Sequence, residues 1–191
     1  MSDAESGQDG DLVRVVLGEI EGALAKVDRG EIEDLAGTLA EAGRVFVAGE
    51  GRSGFMAKAF AMRLMHLGLT VHVVGETTTP SIGEGDTVVA VSGSGTTAGT
   101  VRVAHQAQDA GASVQAVTTD RDSELASVSS TVLLIPAATK HRRAGEASTV
   151  QPLSSLFDQT THIVLDVVCL RLAERRGVDN ASARAAHANT E

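Results

Sequence analysis

Val45-Phe46-Val47-Ala48-Gly49-Glu50-Gly51-Arg52-Ser53-Gly54 and Val88-Val89-Ala90-Val91-Ser92-Gly93-Ser94-Gly95-Thr96-Thr97 share one pattern. In each, a short apolar run rich in valine passes into a Gly/Ser-rich loop, and a helix-like run follows. Such a turn aims backbone N–H groups and hydroxyls at a small anion, with the positive end of the helix dipole behind them. One such loop is a weak signal. Two in a chain of 191 residues point to a site for a phosphorylated small molecule.

The same alternation extends outward from these loops. Arg44 to Ala48 and Asp86 to Val91 read as strands, as do Thr70 to Val74, Ser113 to Thr118 and Thr131 to Ile135. Helical spacing marks Ser53 to Leu67, Thr96 to Ala110, the short Ser123 to Ser127 and the long Leu153 to Arg175. Leu12 to Val27 and Ile32 to Ala42, separated by Asp28-Arg29-Gly30, predict an N-terminal helical pair. Continuous apolar strands are those buried on both faces. The alternation therefore predicts an α/β fold, a doubly wound five-stranded parallel sheet with helices on both faces. In the flavodoxin-like strand order 2-1-3-4-5, strands one and three are neighbours, and the switch point lies between their carboxyl ends. Both Gly/Ser loops then face one crevice. Residues 1–11 are polar and acidic and are expected to be a mobile tail, with 12–191 forming a single domain.

The bulk numbers exclude several partners. A net charge of −9 argues against nucleic acid, and 2% aromatic residues with no Trp or Tyr leaves almost no stacking platform. No apolar run approaches the roughly 20 residues needed to cross a bilayer. No basic-then-apolar leader opens the chain, and the single Cys169 suits a reducing compartment. The expectation is a cytoplasmic protein with no membrane partner. No cluster has metal-ligand spacing, so no metal is expected.

The motifs admit more than one use. Gly49-Glu50-Gly51-Arg52-Ser53-Gly54 fits the G-x-G-x-x-G dinucleotide fingerprint, and Glu76 stands where a ribose-binding acid would. It also serves as a tight turn, or as a substrate loop in which Ser53 is both helix N-cap and ligand contact. Ser92-Gly93-Ser94-Gly95-Thr96-Thr97 offers four hydroxyls at a helix start, suited to phosphate oxygens. His66 at the end of an apolar helix is either a capping residue or part of a site. Lys140-His141-Arg142-Arg143 is either a solvated loop or a basic lid over phosphate. In the last helix Leu153, Phe157, Val164 and Val168 define a buried stripe, with Asp158 at its margin, able to reach a crevice edge.

These stretches together resemble the sugar isomerase (SIS) family, and within it the 6-phospho-3-hexuloisomerases of the ribulose monophosphate route for formaldehyde. The resemblance is carried by Gly49 to Phe55, Lys58 to Gly68, Gly75-Glu76-Thr77-Thr78-Thr79-Pro80, Ser92 to Thr97, Gln151-Pro152-Leu153, Leu156-Phe157 and the terminal His187-Ala188-Asn189. It implies interconversion of 3-hexulose 6-phosphate and fructose 6-phosphate through an enediol, in a homotetramer, with no cofactor. It implies phosphate binding at Gly51, Arg52, Ser53, Ser92, Ser94, Thr96 and Thr97, with His66 or Arg52 as donor to the enediolate. The family reads Leu-Phe-Glu-Gln where this chain reads Leu156-Phe157-Asp158-Gln159, so Asp158, one methylene shorter, is the expected base. Glu76 and Glu146 are the alternatives, and His187 is expected to help close a neighbour's site. A non-catalytic sugar-phosphate sensor and a dinucleotide-binding oxidoreductase are the competing functions.

Overall fold

Strands β1 (Val45–Gly49), β2 (Val71–Val73), β3 (Thr87–Val91), β4 (Ser113–Thr118) and β5 (Thr131–Leu134) form one parallel sheet in the order β2-β1-β3-β4-β5. This is the order expected from the two loops. The computed structural model describes residues 11–143 and 146–190. Gly49 lies opposite Val91 in the β1–β3 ladder, so the two loops leave the sheet side by side.

Side-chain alternation divides the core into two layers. Val45, Val47, Val89 and Val91 face the layer built by α2 (Arg29–Glu41), α3 (Gly51–His66) and α6 (Ser155–Arg176). Phe46, Val88 and Ala90 face the layer of α4 (Ala98–Asp109) and α5 (Glu124–Ser127). Helix α1 (Leu12–Leu24) packs on α6, and the short α7 (Asn180–Ala185) packs near α3. Every residue of β3 is buried, as a central strand covered on both sides requires.

The central strands are clamped at the end opposite the loops. Arg44 donates to Asp86 through Nε (2.8 Å) and Nη2 (2.6 Å), and the Gly83 amide donates to the same carboxylate at 2.7 Å. Burial alone would push the Asp86 carboxyl up, but these donors outweigh it and hold the group below the usual carboxylate range. At the loop end, glycine permits the contact between strand and helix. Gly51 has φ +58, and a Cβ on Gly54 would lie 2.7 Å from the Gly49 carbonyl oxygen, so α3 starts directly against β1.

Several boundaries differ from the sequence expectation. Helix α3 begins at Gly51 with Glu50 at the N-cap, which places Ser53 inside the first turn rather than at the cap. Helix α4 begins at Ala98, because Ser92 to Thr97 fold into a turn of their own. Leu153 is not part of the stripe of the long helix. It precedes α6, has φ +52 and is 67% exposed. The Arg142 guanidinium takes the carbonyls of Thr139, Gln151 and Leu153, at 2.6, 2.5 and 2.9 Å, and holds that segment in a loop. The stripe runs instead through Leu156, Phe157, Val164, Val168 and Leu172. Asp11, assigned above to a tail, is the N-cap of α1, and residues 1–10 lie outside the described residues. Among the described residues no helix is long and apolar enough to cross a membrane.

Candidate active site

The crevice between the carboxyl ends of β1 and β3 encloses about 320 Å³. The first loop contributes Glu50, Gly51, Arg52 and Ser53, and the second contributes Gly93, Ser94 and Thr97. The opposite wall is Thr139, Lys140, Leu153 and Ser154, and Asp158 forms the floor.

Asp158 sits in the first turn of α6 and is only 2% exposed. Ser53 Oγ donates to Oδ1 and Arg52 Nε donates to Oδ2, each at 3.0 Å. Burial pushes the carboxyl above its ordinary value, and it prevails over Ser53 and Arg52, which favour the ionised form. A carboxylate of raised basicity that still meets the crevice is suited to proton abstraction. It lies deeper than the stripe-margin position expected from the sequence.

The second loop is wired to itself. Ser92 Oγ shares a 2.8 Å bond with Thr97 Oγ1 and accepts from the Gly95 amide at 3.2 Å. Ser94 Oγ accepts from the Thr96 amide and hydroxyl, at 3.3 and 3.1 Å. Ser94 and Thr97 line the crevice, whereas buried Ser92 and exposed Thr96 lie outside its lining and act through the loop's shape.

The wall is held by charged residues that point away from the crevice. Thr139 donates its amide and hydroxyl to Glu146, at 2.8 and 2.6 Å. Glu146 faces a neighbouring cavity of about 410 Å³ and is not among the lining residues of this crevice. From α1, Glu19 accepts from Thr149 Oγ1 (2.6 Å), the Val150 amide (2.7 Å) and Gln151 Nε2 (3.0 Å). The basic loop is likewise tied down: Arg143 pairs with Asp120 at 2.8 Å and reaches the Ser94 carbonyl at 3.4 Å. Only Lys140 of that loop lines the crevice.

Three candidates stand apart from the crevice. Glu76 lies in an exposed turn after β2 and is not in the lining, which also removes the ribose contact a dinucleotide site would need. His66 ends α3, about 20 Å from Ser53 at the helical rise of ~1.5 Å per residue. It is buried, and its ring stacks on that of His187, with centroids 5.2 Å apart and planes at 18°. The length of α3 puts this pair outside the crevice. Glu50, Thr139 and Ser154 are lining residues that the sequence did not single out. Ser154, just before an apolar helix, carries a cap signal; Glu50 falls at an unspecified position of the G-x-G-x-x-G pattern and carries none.

A doubly wound parallel sheet with hydroxyl-rich loops and a buried carboxylate at its switch point defines an α/β domain with a crevice suited to a small anionic ligand. The chain belongs to the SIS domain family, whose pattern matches residues 38–164. It is 45% identical to a protein of Mycobacterium gastri named 3-hexulose-6-phosphate isomerase, over 93% of this chain and 88% of that one. It is 38% identical to a protein of Bacillus subtilis (strain 168) with the same name, over 94% and 97%. A solved structure from Methanococcus jannaschii, for which a molecular function of 3-hexulose-6-phosphate isomerase was inferred, superposes with a TM-score of 0.82 at 27% identity, covering 95% of this chain and 99% of that one.

Proposed function

We propose that this chain interconverts D-arabino-3-hexulose 6-phosphate and fructose 6-phosphate, the isomerase step of the ribulose monophosphate route, in the cytoplasm. The observation that carries this is Asp158, a carboxylate of raised basicity on the floor of a hydroxyl-lined crevice. The relatives named for this reaction match nearly the whole chain.

The phosphate is received by the second loop, with Ser94 and Thr97 donating beside the N-terminus of α4. Lys140 on the wall adds a positive charge. Held there, the sugar presents C2 to Asp158, which removes the C2 proton as the C3 carbonyl takes up the electron pair. Arg52 donates to the developing enediolate oxygen. Asp158 then returns its proton to C3, leaving the carbonyl at C2. The test is a coupled assay of fructose 6-phosphate formation by the purified protein. Turnover supports the isomerase. Binding of the sugar phosphate without turnover supports a sensor instead, a reading favoured by the short arm of Asp158.

The His66–His187 pair lies too far from its own crevice to serve it, and a second copy supplies the crevice it reaches. We therefore place the protein in a homotetramer, with exposed Phe55 and Met62 on α3 and Ile163 and Leu170 on α6 as apolar surface for the contact. Light scattering that shows a tetramer, and loss of turnover on deletion of residues 187–191, support this arrangement. A stable monomer with full turnover overturns it.

A further inference from the structure

Glu50 is the one carboxylate of the crevice without a task in the steps above. Its backbone is extended, and its side chain does not cap its own helix. The side chain reaches across the switch point to α4, where a Cβ on Gly99 would lie 1.7 Å from Oε1 and 2.8 Å from Cδ. The carboxylate thus fills the space that any side chain at position 99 would occupy. Among the described residues it makes no hydrogen bond or ion pair. Asp158 approaches the crevice from α6, on the other side of the sheet. A sugar held in the crevice therefore has a carboxylate on each side.

The reaction has a second proton to move. When the carbonyl passes from C3 to C2, the hydroxyl proton on O2 must leave and O3 must gain one. Asp158 is occupied with the carbon-bound proton throughout. Resting on the isomerase reading, we propose that Glu50 is a second catalytic residue that carries the proton from O2 to O3. As Asp158 removes the C2 proton, the charge moves to O3. Glu50 accepts the O2 proton and delivers it to O3, and Asp158 returns its own proton to C3. Both carboxylates end as they began, and no co-reactant is consumed. Gly99 is a positioning residue for Glu50.

Deuterium oxide separates the two carboxylates. Glu50→Gln should lower the turnover number about 100-fold, the usual scale for a lost acid–base group, with KM unchanged. It should still exchange the C2 hydrogen of 3-hexulose 6-phosphate with solvent, because Asp158 is intact. Asp158→Asn should lose exchange and conversion together. Gly99→Ala should mimic Glu50→Gln by displacing the carboxylate, with no further loss in the double variant. Its melting temperature should hold or rise, because alanine is the better helix former. Glu50→Gln turnover within twofold of the parent, or loss of C2 exchange in step with conversion, overturns the proposal alone. Absence of turnover in the unsubstituted protein overturns it together with the isomerase reading.

Discussion

The loops after β1 and β3 look alike in composition and behave differently. The second closes on itself: its hydroxyls bond to one another and to its own amides. The first spends its side chains on other elements. Arg52 and Ser53 reach α6, and Glu50 reaches α4. A self-bonded loop is a preformed cradle that need not reorganise when an anion arrives. A loop whose side chains cross to other helices can place and tune charge. In the proposed isomerase, the same pattern of glycine and serine therefore serves two tasks, holding the substrate and moving its protons.

This division can be broken most sharply at Asp158. Asp158→Asn should cut turnover about 100-fold or more while sugar-phosphate affinity by calorimetry survives. Asp158→Glu should retain or raise turnover. Equal losses of affinity and turnover in Asp158→Asn would mean that the two tasks are not separate. In the other loop, Ser94→Ala should weaken sugar-phosphate binding by about 1–3 kcal/mol with little effect on the saturated rate. Calorimetry beside steady-state kinetics checks both halves of that statement.

Smaller effects sharpen the contrast. Arg44→Met, at the far end of the same two strands, should lower stability and leave the crevice unaltered. Asp86 is held below its ordinary value, so its contribution is present above the unfolded carboxylate range and is lost as pH falls through the folded value. Denaturation of parent and variant should therefore converge at acid pH. The smallest expected change is in the pH profile of Ser53→Ala. In the proposed mechanism Asp158 must be ionised to act, and burial pushes its carboxyl above the ordinary aspartate value, so the acid limb of kcat/KM should lie above that range. Removing the Ser53 donor disfavours the carboxylate further, so the limb should move to higher pH. An unmoved limb would show that Ser53 does not tune the base.

The strand order was legible because two Gly/Ser loops after apolar runs define a switch point, and the continuous runs define buried parallel strands. Ser53, Ser94 and Thr97 could be named because loop composition and family likeness both marked them, and Asp158 because family likeness and its place beside an apolar helical stripe did. Their mutual geometry could not. The Ser53–Asp158 bond spans 105 residues, and only the packing of α3 on α6 creates it. Leu153 kept helical spacing yet left the helix, because Arg142 holds its carbonyl from outside. The separation of His66 from the crevice follows from the length of α3, which the sequence stated, but a match to a family hides it. Glu50 had no signal, since a carboxylate in an anion-binding loop runs against the loop's own chemistry.

The grip of Glu19 on the loop at 149–151 has a kinetic consequence. It joins residues 130 to 132 positions apart, whereas the sheet grows from nearer neighbours. Contacts between such distant positions bear the greatest loop-closure cost and form late. On refolding, helical and strand content should therefore recover before the crevice wall is in place, and catalytic competence should trail circular dichroism. Glu19→Gln should lengthen that delay, from a position that never meets the sugar.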